Sequence, residues 1–343
     1  MARVLRSLHS SQPVARFQRC CGLFPAAGEG AGDGLAGTAG GGDHLPARDT
    51  CPGGSPARQR LPEANGVKSS PPPQIAMYIG QVTKDILKWP RPHSPPVVKL
   101  EMRAEYGMPS THAMAATSIS FTFCIATINQ NKYPLVLGLM AAFVFSTLVC
   151  LSRLYTGMHT VLDVIGGTLI SAALIALTYP AWDIIDHLML TSPFCPILSI
   201  IVPLLLCYNY PKLENYSPTR ADTTTVLGAG AGATIGFWLN NLCAAPNYPN
   251  KSLLLLSFPP ISEMMMVVLA KFLVGIFILL VTRYFIKGMA LRVLCSRYQV
   301  SVNDLEARRR LEIEVPYKFI TYSSVGFSAT VLVPLLHELL GLI

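Results

Sequence analysis

Charge is what this sequence has least of. Asp, Glu, Lys and Arg together make up 13% of its 343 residues, about half the share of a soluble domain. With 51% hydrophobic residues and a mean hydropathy of +0.42, that scarcity excludes an ordinary water-facing surface and points to an integral membrane protein. Nor do the nine cysteines (20, 21, 51, 124, 150, 195, 207, 243 and 295) fall at metal-ligand or disulfide spacings. Several lie inside apolar runs, where cysteine acts as a small apolar residue. No stretch resembles a carboxylate-rich Mg²⁺ site, so the expected chemistry needs no metal and no other cofactor. The net charge of +8 is spread over loops and tail, which argues against a nucleic-acid partner. No internal repeat is visible.

What the chain does have is long apolar runs. A helix needs about 20 largely apolar residues to cross a bilayer. Runs near 112–130, 134–152, 161–181, 196–210, 225–243, 264–282 and 319–340 predict an all-α, polytopic membrane helix bundle with about seven spans. The fourth is short. The fifth, "GAGAGATIG", suits close helix packing rather than lipid contact. Residues 75–343 thus read as a membrane-embedded domain and 1–74 as a disordered basic, Gly- and Pro-rich tail. Within the tail, 25–73 is rich in Gly, Pro and Ala without periodicity and is expected to be disordered. The first 24 residues hold Arg3, Arg6, Arg16 and Arg19 and no acid, as suits a basic segment lying on anionic headgroups.

Three stretches carry the chemistry. In "KDILKWPRP", Lys84 and Lys88 are spaced to share a helix face, and Pro90 and Pro92 end the helix and stiffen the segment that holds Arg91. In "GMPSTHAMAA", Ser110 or Thr111 can cap a helix whose first turn carries His112, and a helix start binds anions. In "CLSRLYTGMHTVLDV", Arg153 closes one span and His159 opens the next, with Asp163 four residues on and on the same face. A carboxylate there wants a partner, and pairing would fix the imidazole's tautomer. Two spans separate the second stretch from the third, so all three return to one membrane face. Converging cations, a helix N-terminus, two histidines and a carboxylate suit a phosphoryl group. Lys84, Arg91 and Arg153 would hold its oxygens, helped by the Ser110 and Thr111 amides; one histidine would attack phosphorus and the other protonate the leaving oxygen.

These stretches match K-x6-R-P, P-S-x-H and S-R-x5-H-x3-D, and so resemble the three signatures of the type 2 phosphatidic acid phosphatase superfamily. The resemblance implies that His159 is the nucleophile, oriented by Asp163, and His112 the general acid. It implies that 75–343 is a phosphatase domain and that Lys84, Arg91, Ser110, Thr111 and Arg153 are phosphate ligands. Threonine in "PSTH", with "YSPTRADTTT" and "EARRRLEIEVPYKF" further on, is similar to the sphingosine-1-phosphate phosphatase branch. That branch implies endoplasmic reticulum residence, a luminal active site, and hydrolysis of sphingosine 1-phosphate and its dihydro form to the free base. Its members carry membrane helices ahead of the first signature. Here only ~12 residues lead from proline-rich sequence to the first cations, too few to span.

Two further readings follow: a broader lipid or isoprenoid phosphate phosphatase, and a catalytically silent membrane protein that binds lipid or a partner. The basic stretch 283–318 falls on the active-site side of this topology, which by the positive-inside rule would make that side cytoplasmic, against the resemblance. Sequons at Asn215 and Asn250 fall on opposite sides.

Overall fold

The computed structural model describes residues 9–21, 72–94, 97–100, 105–128, 134–211, 216–243 and 261–342. All regular structure among them is helical. A short α1 (Ser11–Cys20) and α2 (Pro72–Leu87) precede the bundle. Then come α3 (Thr111–Ile128), α4 (Leu135–Tyr155) and α5 (Val161–Thr178), which continues through one 3₁₀ turn into α6 (Trp182–Thr191). The second half holds α7 (Cys195–Tyr208), α8 (Pro218–Cys243), α9 (Ile261–Arg297), α10 (Leu305–Arg308), α11 (Leu311–Phe327) and α12 (Val333–Leu339).

The described residues of each of the seven apolar runs lie mostly on helices, but among the described residues four helical stretches are both long and apolar enough to cross a membrane: Leu135–Tyr155, Val161–Thr191, Met265–Arg297 and Leu311–Leu339. Their outward faces carry bare apolar side chains such as Val136, Phe143, Met266 and Phe277, as lipid contact requires. The other three runs differ for physical reasons. Helix α7 has 14 residues, roughly 21 Å at about 1.5 Å per residue. Helices α3 and α8 are rich in small and hydroxyl residues and pack much of their surface against protein, with Ala113, Met114, Thr117 and Ser118 buried on one and Thr219, Thr223, Leu227 and Ala231 on the other, although α3 still turns Ile119 and Phe123 outward. A helix packed largely against other helices needs few lipid-facing side chains. The stretch 283–318 is not all loop: α9 runs on to Arg297.

The glycine-rich run sits on α8 where it meets α11. A Cβ at Gly232 would run into the Ser323 carbonyl, and one at Gly326 into the Ala229 carbonyl. The two backbones approach closely because neither side has a side chain there.

Residues 9–21 fall inside the segment 1–74 that was expected to be disordered, yet 11–20 form a helix. Residues 22–71 lie outside the described residues. In α1, Val14, Ala15 and Gln18 are buried, and Val14 and Ala15 pack against Val97, with Leu154 of α4 alongside. Gln18 supplies what a strand would: its amide donates to the carbonyls of Val98 (2.8 Å) and Tyr155 (2.9 Å), and its oxygen accepts from the Val98 N–H (3.1 Å). Helix α1 therefore clips the loop after Arg91 to the end of α4.

The next turn of chain needs a glycine. Gly157 has φ +68°, and a Cβ there would strike the Val98 carbonyl. Gly157→Ala is expected to destabilise the protein by about 1–3 kcal/mol, read as a lower unfolding temperature in detergent. Gly288→Ala, on α9 with open space around it, should be neutral or stabilising by up to about 1 kcal/mol; equal losses in both variants would contradict this account.

Candidate active site

The site is assembled where α2 ends, α3 begins, and α4 turns into α5. Helix α2 stops at Leu87, and Lys88 takes a left-handed backbone (φ 48°), which sends the chain out along Trp89-Pro90-Arg91-Pro92. Lys88 is exposed, while Lys84, one turn earlier, is 1% exposed. The neighbouring Asp85 anchors the helix in the bundle by accepting from Tyr210 (2.7 Å) and from the Thr219 hydroxyl at the start of α8.

An acid not anticipated from the motifs lies between the two cations of the first stretch. Glu105 Oε2 is 3.0 Å from Lys84 Nζ and 3.2 Å from Arg91 Nη2, and its backbone carbonyl accepts from Arg91 Nε (2.8 Å). Arg91 Nη1 also reaches the Met158 sulfur (3.1 Å), which ties the first stretch to the residue before His159. Burial pushes the Lys84 ammonium below its usual pKa, and Glu105 opposes that shift.

The second and third stretches are joined through backbone. The Ser110 N–H donates to the Asp163 carbonyl (3.0 Å). That bond removes the Ser110 amide from the donors expected for an anion, leaving Thr111, which opens α3. The Ser110 side chain is not a helix cap either. Its hydroxyl is fully buried and has no hydrogen-bond partner among the described residues, so a donor at the start of α3 is free to meet a ligand oxygen. His112 lies in the first turn of α3 and is exposed. Arg153, half-buried in the last turn of α4, donates from Nε to Ser152 Oγ (3.3 Å).

His159 is buried just ahead of α5, and its Nδ1 lies 2.9 Å from the Gly107 carbonyl oxygen. A carbonyl can only accept, so Nδ1 carries the proton and Nε2 keeps its lone pair. The Asp163 carboxylate is farther, 3.8 Å from Nδ1. Its Oδ2 takes the Thr160 N–H (2.7 Å) in a capping box that opens α5, and its Oδ1 has no hydrogen-bond partner among the described residues. The expected His159–Asp163 pair is present at 3.8 Å, and the Gly107 carbonyl is the nearer partner of the same nitrogen. Gly107 is held in turn by donating its N–H to the Trp89 carbonyl (2.7 Å), so the imidazole is aimed through the first stretch as well.

The structure therefore brings Lys84, Arg91, Ser110, His159 and Asp163 into one connected network; Thr111 and His112 flank it on α3, and Arg153 on α4. An uncharged imidazole nitrogen beside two cations and a free hydroxyl can attack an electrophile that carries negative oxygens. That combination has the chemistry that phosphoryl transfer needs, set on a membrane helix bundle.

Comparison with known proteins agrees. Residues 74–184 match the model of the PAP2 superfamily. The chain is 52% identical to human sphingosine-1-phosphate phosphatase 2 and 54% identical to its mouse counterpart, each comparison covering 100% of both chains. It is 38% identical to rat sphingosine-1-phosphate phosphatase 1 over 78% of this chain and 63% of that one. The chain belongs to the PAP2 superfamily and, within it, to the sphingosine-1-phosphate phosphatases. The human alignment runs over 398 positions against the 343 residues of this chain, so some positions of that relative have no counterpart here. No solved structure matches.

The buried imidazole makes stability pH-dependent. Burial pushes His159 below its usual pKa of 6.5, Lys84 and Arg91 push the same way, and Asp163 opposes them. The unfolded chain then binds more protons than the folded one below about pH 6.5, so the neutral imidazole's contribution is present above that pH and lost as pH falls through it. The unfolding temperature should drop from pH 7 to 5 as this group takes away up to about 1.4 kcal/mol of stability per pH unit. His159→Gln should flatten that slope; an unchanged slope would contradict a neutral His159.

Proposed function

We propose that the chain hydrolyses sphingoid-base 1-phosphates to the free base and inorganic phosphate through a phosphohistidine at His159. The observation that carries this reading is the His159 imidazole, turned by the Gly107 carbonyl so that Nε2 is the nucleophile beside Lys84 and Arg91. The substrate class follows the names of the relatives.

In the first step Nε2 attacks phosphorus, and the bond from phosphorus to the ester oxygen breaks. His112 gives its proton to the departing alkoxide. Lys84, Arg91, Arg153, the Ser110 hydroxyl and the Thr111 amide hold the nonbridging oxygens as charge shifts onto them. Positive charge on the imidazole is balanced by Asp163, whose Oδ2 lies 3.8 Å from Nδ1. In the second step His112, now unprotonated, takes a proton from water as the water attacks phosphorus; the phosphorus–Nε2 bond breaks, inorganic phosphate leaves, and the neutral His159 and protonated His112 are restored. Fixed cations and a hydroxyl supply the charge that a metal would otherwise supply, so the reaction is metal-independent. The alkyl chain lies in the apolar cavity of ≈ 950 Å³ between α3, α4 and α5, which extends from Tyr179 to Leu151, Leu154 and Val164 near the site.

Phosphate release from sphingosine 1-phosphate by the purified chain should persist in a chelator and fall by on the order of a thousandfold or more in His159→Ala. His112→Ala should cost roughly 100- to 10,000-fold on the lipid and far less on p-nitrophenyl phosphate, whose leaving group needs no proton. Full activity in His159→Ala would refute the nucleophile. A wild-type chain that binds lipid without turnover would instead support the silent reading.

The site is proposed to face the lumen of the endoplasmic reticulum. The basic end of the second half lies on the same face, since Arg220, next to the Thr219 that binds Asp85, pairs with Glu314 (2.6 Å) and Arg309 stacks on Tyr216. Asn215 and Asn250 lie outside the described residues. A luminal site predicts that Asn250 stays unglycosylated in cells; sugar on Asn250 alone would put the site in the cytoplasm.

A further inference from the structure

A carboxylate inside a phosphate site is a liability unless it has a task. Glu105 Oε2 spans the same two donors, Lys84 Nζ at 3.0 Å and Arg91 Nη2 at 3.2 Å, that a phosphate would use, and the Glu105 side chain is 8% exposed. A phosphate monoester carries a charge of about −1.5 to −2 near neutrality. Bringing it to Lys84 and Arg91 displaces Oε2 from both donors and leaves two anions facing each other in a site shielded from water, where their repulsion is strong. A phosphate ester with no cation of its own brings nothing to offset that repulsion. A sphingoid-base phosphate does not, because its ammonium group sits on the carbon next to the one bearing the phosphate ester.

We infer that Glu105 is the residue that selects β-amino alkyl phosphates: the phosphate takes over Lys84 and Arg91, and the displaced carboxylate pairs with the ammonium group of the same substrate. The inference rests on the proposed function and names the group that separates this substrate class from amine-free lipid phosphates. It also gives Glu105 two states. Without substrate it is the counter-ion that lets Lys84 and Arg91 remain charged in a buried place; with substrate it exchanges two protein cations for one ligand cation. Its backbone carbonyl stays on Arg91 Nε (2.8 Å), so the guanidinium keeps its position while the side chain swings. An amide at this position would be neutral toward the phosphate and blind to the ammonium.

The test measures binding, so that it does not depend on turnover. Two nonhydrolysable probes are compared in detergent-solubilised full-length protein: a long-chain β-amino alkyl phosphonate, and the same phosphonate with a hydroxyl replacing the amine. Wild type should bind the amine-bearing probe at least about tenfold more tightly, in line with a buried charge pair. In Glu105→Gln the ratio should collapse to about one, with the amine-free probe bound as tightly as before or more tightly. Glu105→Asp should restore part of the preference. Because the ratio is taken within each protein, partial misfolding of a variant cancels. A wild-type protein indifferent to the amine would overturn the inference, as would a Glu105→Gln ratio equal to that of wild type, the result of a purely structural role in holding Lys84 and Arg91. Turnover of sphingosine 1-phosphate by the same preparation is read in parallel. Amine-selective binding without turnover would overturn the proposed hydrolysis and leave Glu105 as the selector; turnover without amine selectivity would do the reverse.

Discussion

Burying an ammonium group in an apolar helix bundle is the constraint on which the rest of this structure depends. An ion without a partner in such a place costs several kcal/mol, and Lys84 is 1% exposed. Glu105 meets that demand from one side, and Asp85 lies next in sequence to hold the helix itself to Tyr210 and Thr219. Once Lys84 is paired through Glu105 to Arg91, the chain between them cannot wander, and the Trp89 carbonyl is left in position to hold Gly107. Gly107 then orients His159. Charge burial on α2 thus propagates to the tautomer of an imidazole ahead of α5 through one ion-pair relay, one backbone hydrogen bond and one carbonyl–imidazole bond.

The helices supply the rigidity that this relay needs. Helix α3 leaves the site and α4 returns to it, and the Ser110–Asp163 backbone bond closes the circuit at the start of α3 and α5. Helix α8 is the post around which the second half packs, and its glycines let α11 approach to backbone contact. The small and hydroxyl-bearing residues of α3 and α8 make these two poor membrane spans by composition and good interior helices by shape. Four lipid-facing stretches carry the apolar surface instead.

Much of this was legible in the sequence. The low charge and the apolar runs marked the helix bundle, and three short motifs marked the residues that meet at one end. Periodicity could not say which helices would be interior, because that depends on what packs around them. Three features escaped for definite reasons. Glu105 belongs to no motif and becomes a partner of Lys84 and Arg91 only when the loop folds back; its one signal was an acid just ahead of "GMPSTH" in a charge-poor chain. The His159 acceptor is a backbone carbonyl, which leaves no trace in side-chain identity, whereas Asp163 at i+4 offered an obvious but more distant partner. Helix α1 lies in a segment whose composition reads as a tail, although "SSQPVARFQ" does hold a proline in a first turn and Val14, Ala15 and Gln18 on one face.

The central claim is that His159 Nε2 is the nucleophile. It is tested most directly by rapid acid-free quenching of the chain with ³²P-labelled sphingosine 1-phosphate, followed by peptide mapping. The account predicts label on His159 in an acid-labile, base-stable linkage, absent from His159→Ala and accumulating in His112→Ala on a substrate with a good leaving group. Label on any other residue, or turnover in which His159 is never phosphorylated, would contradict it.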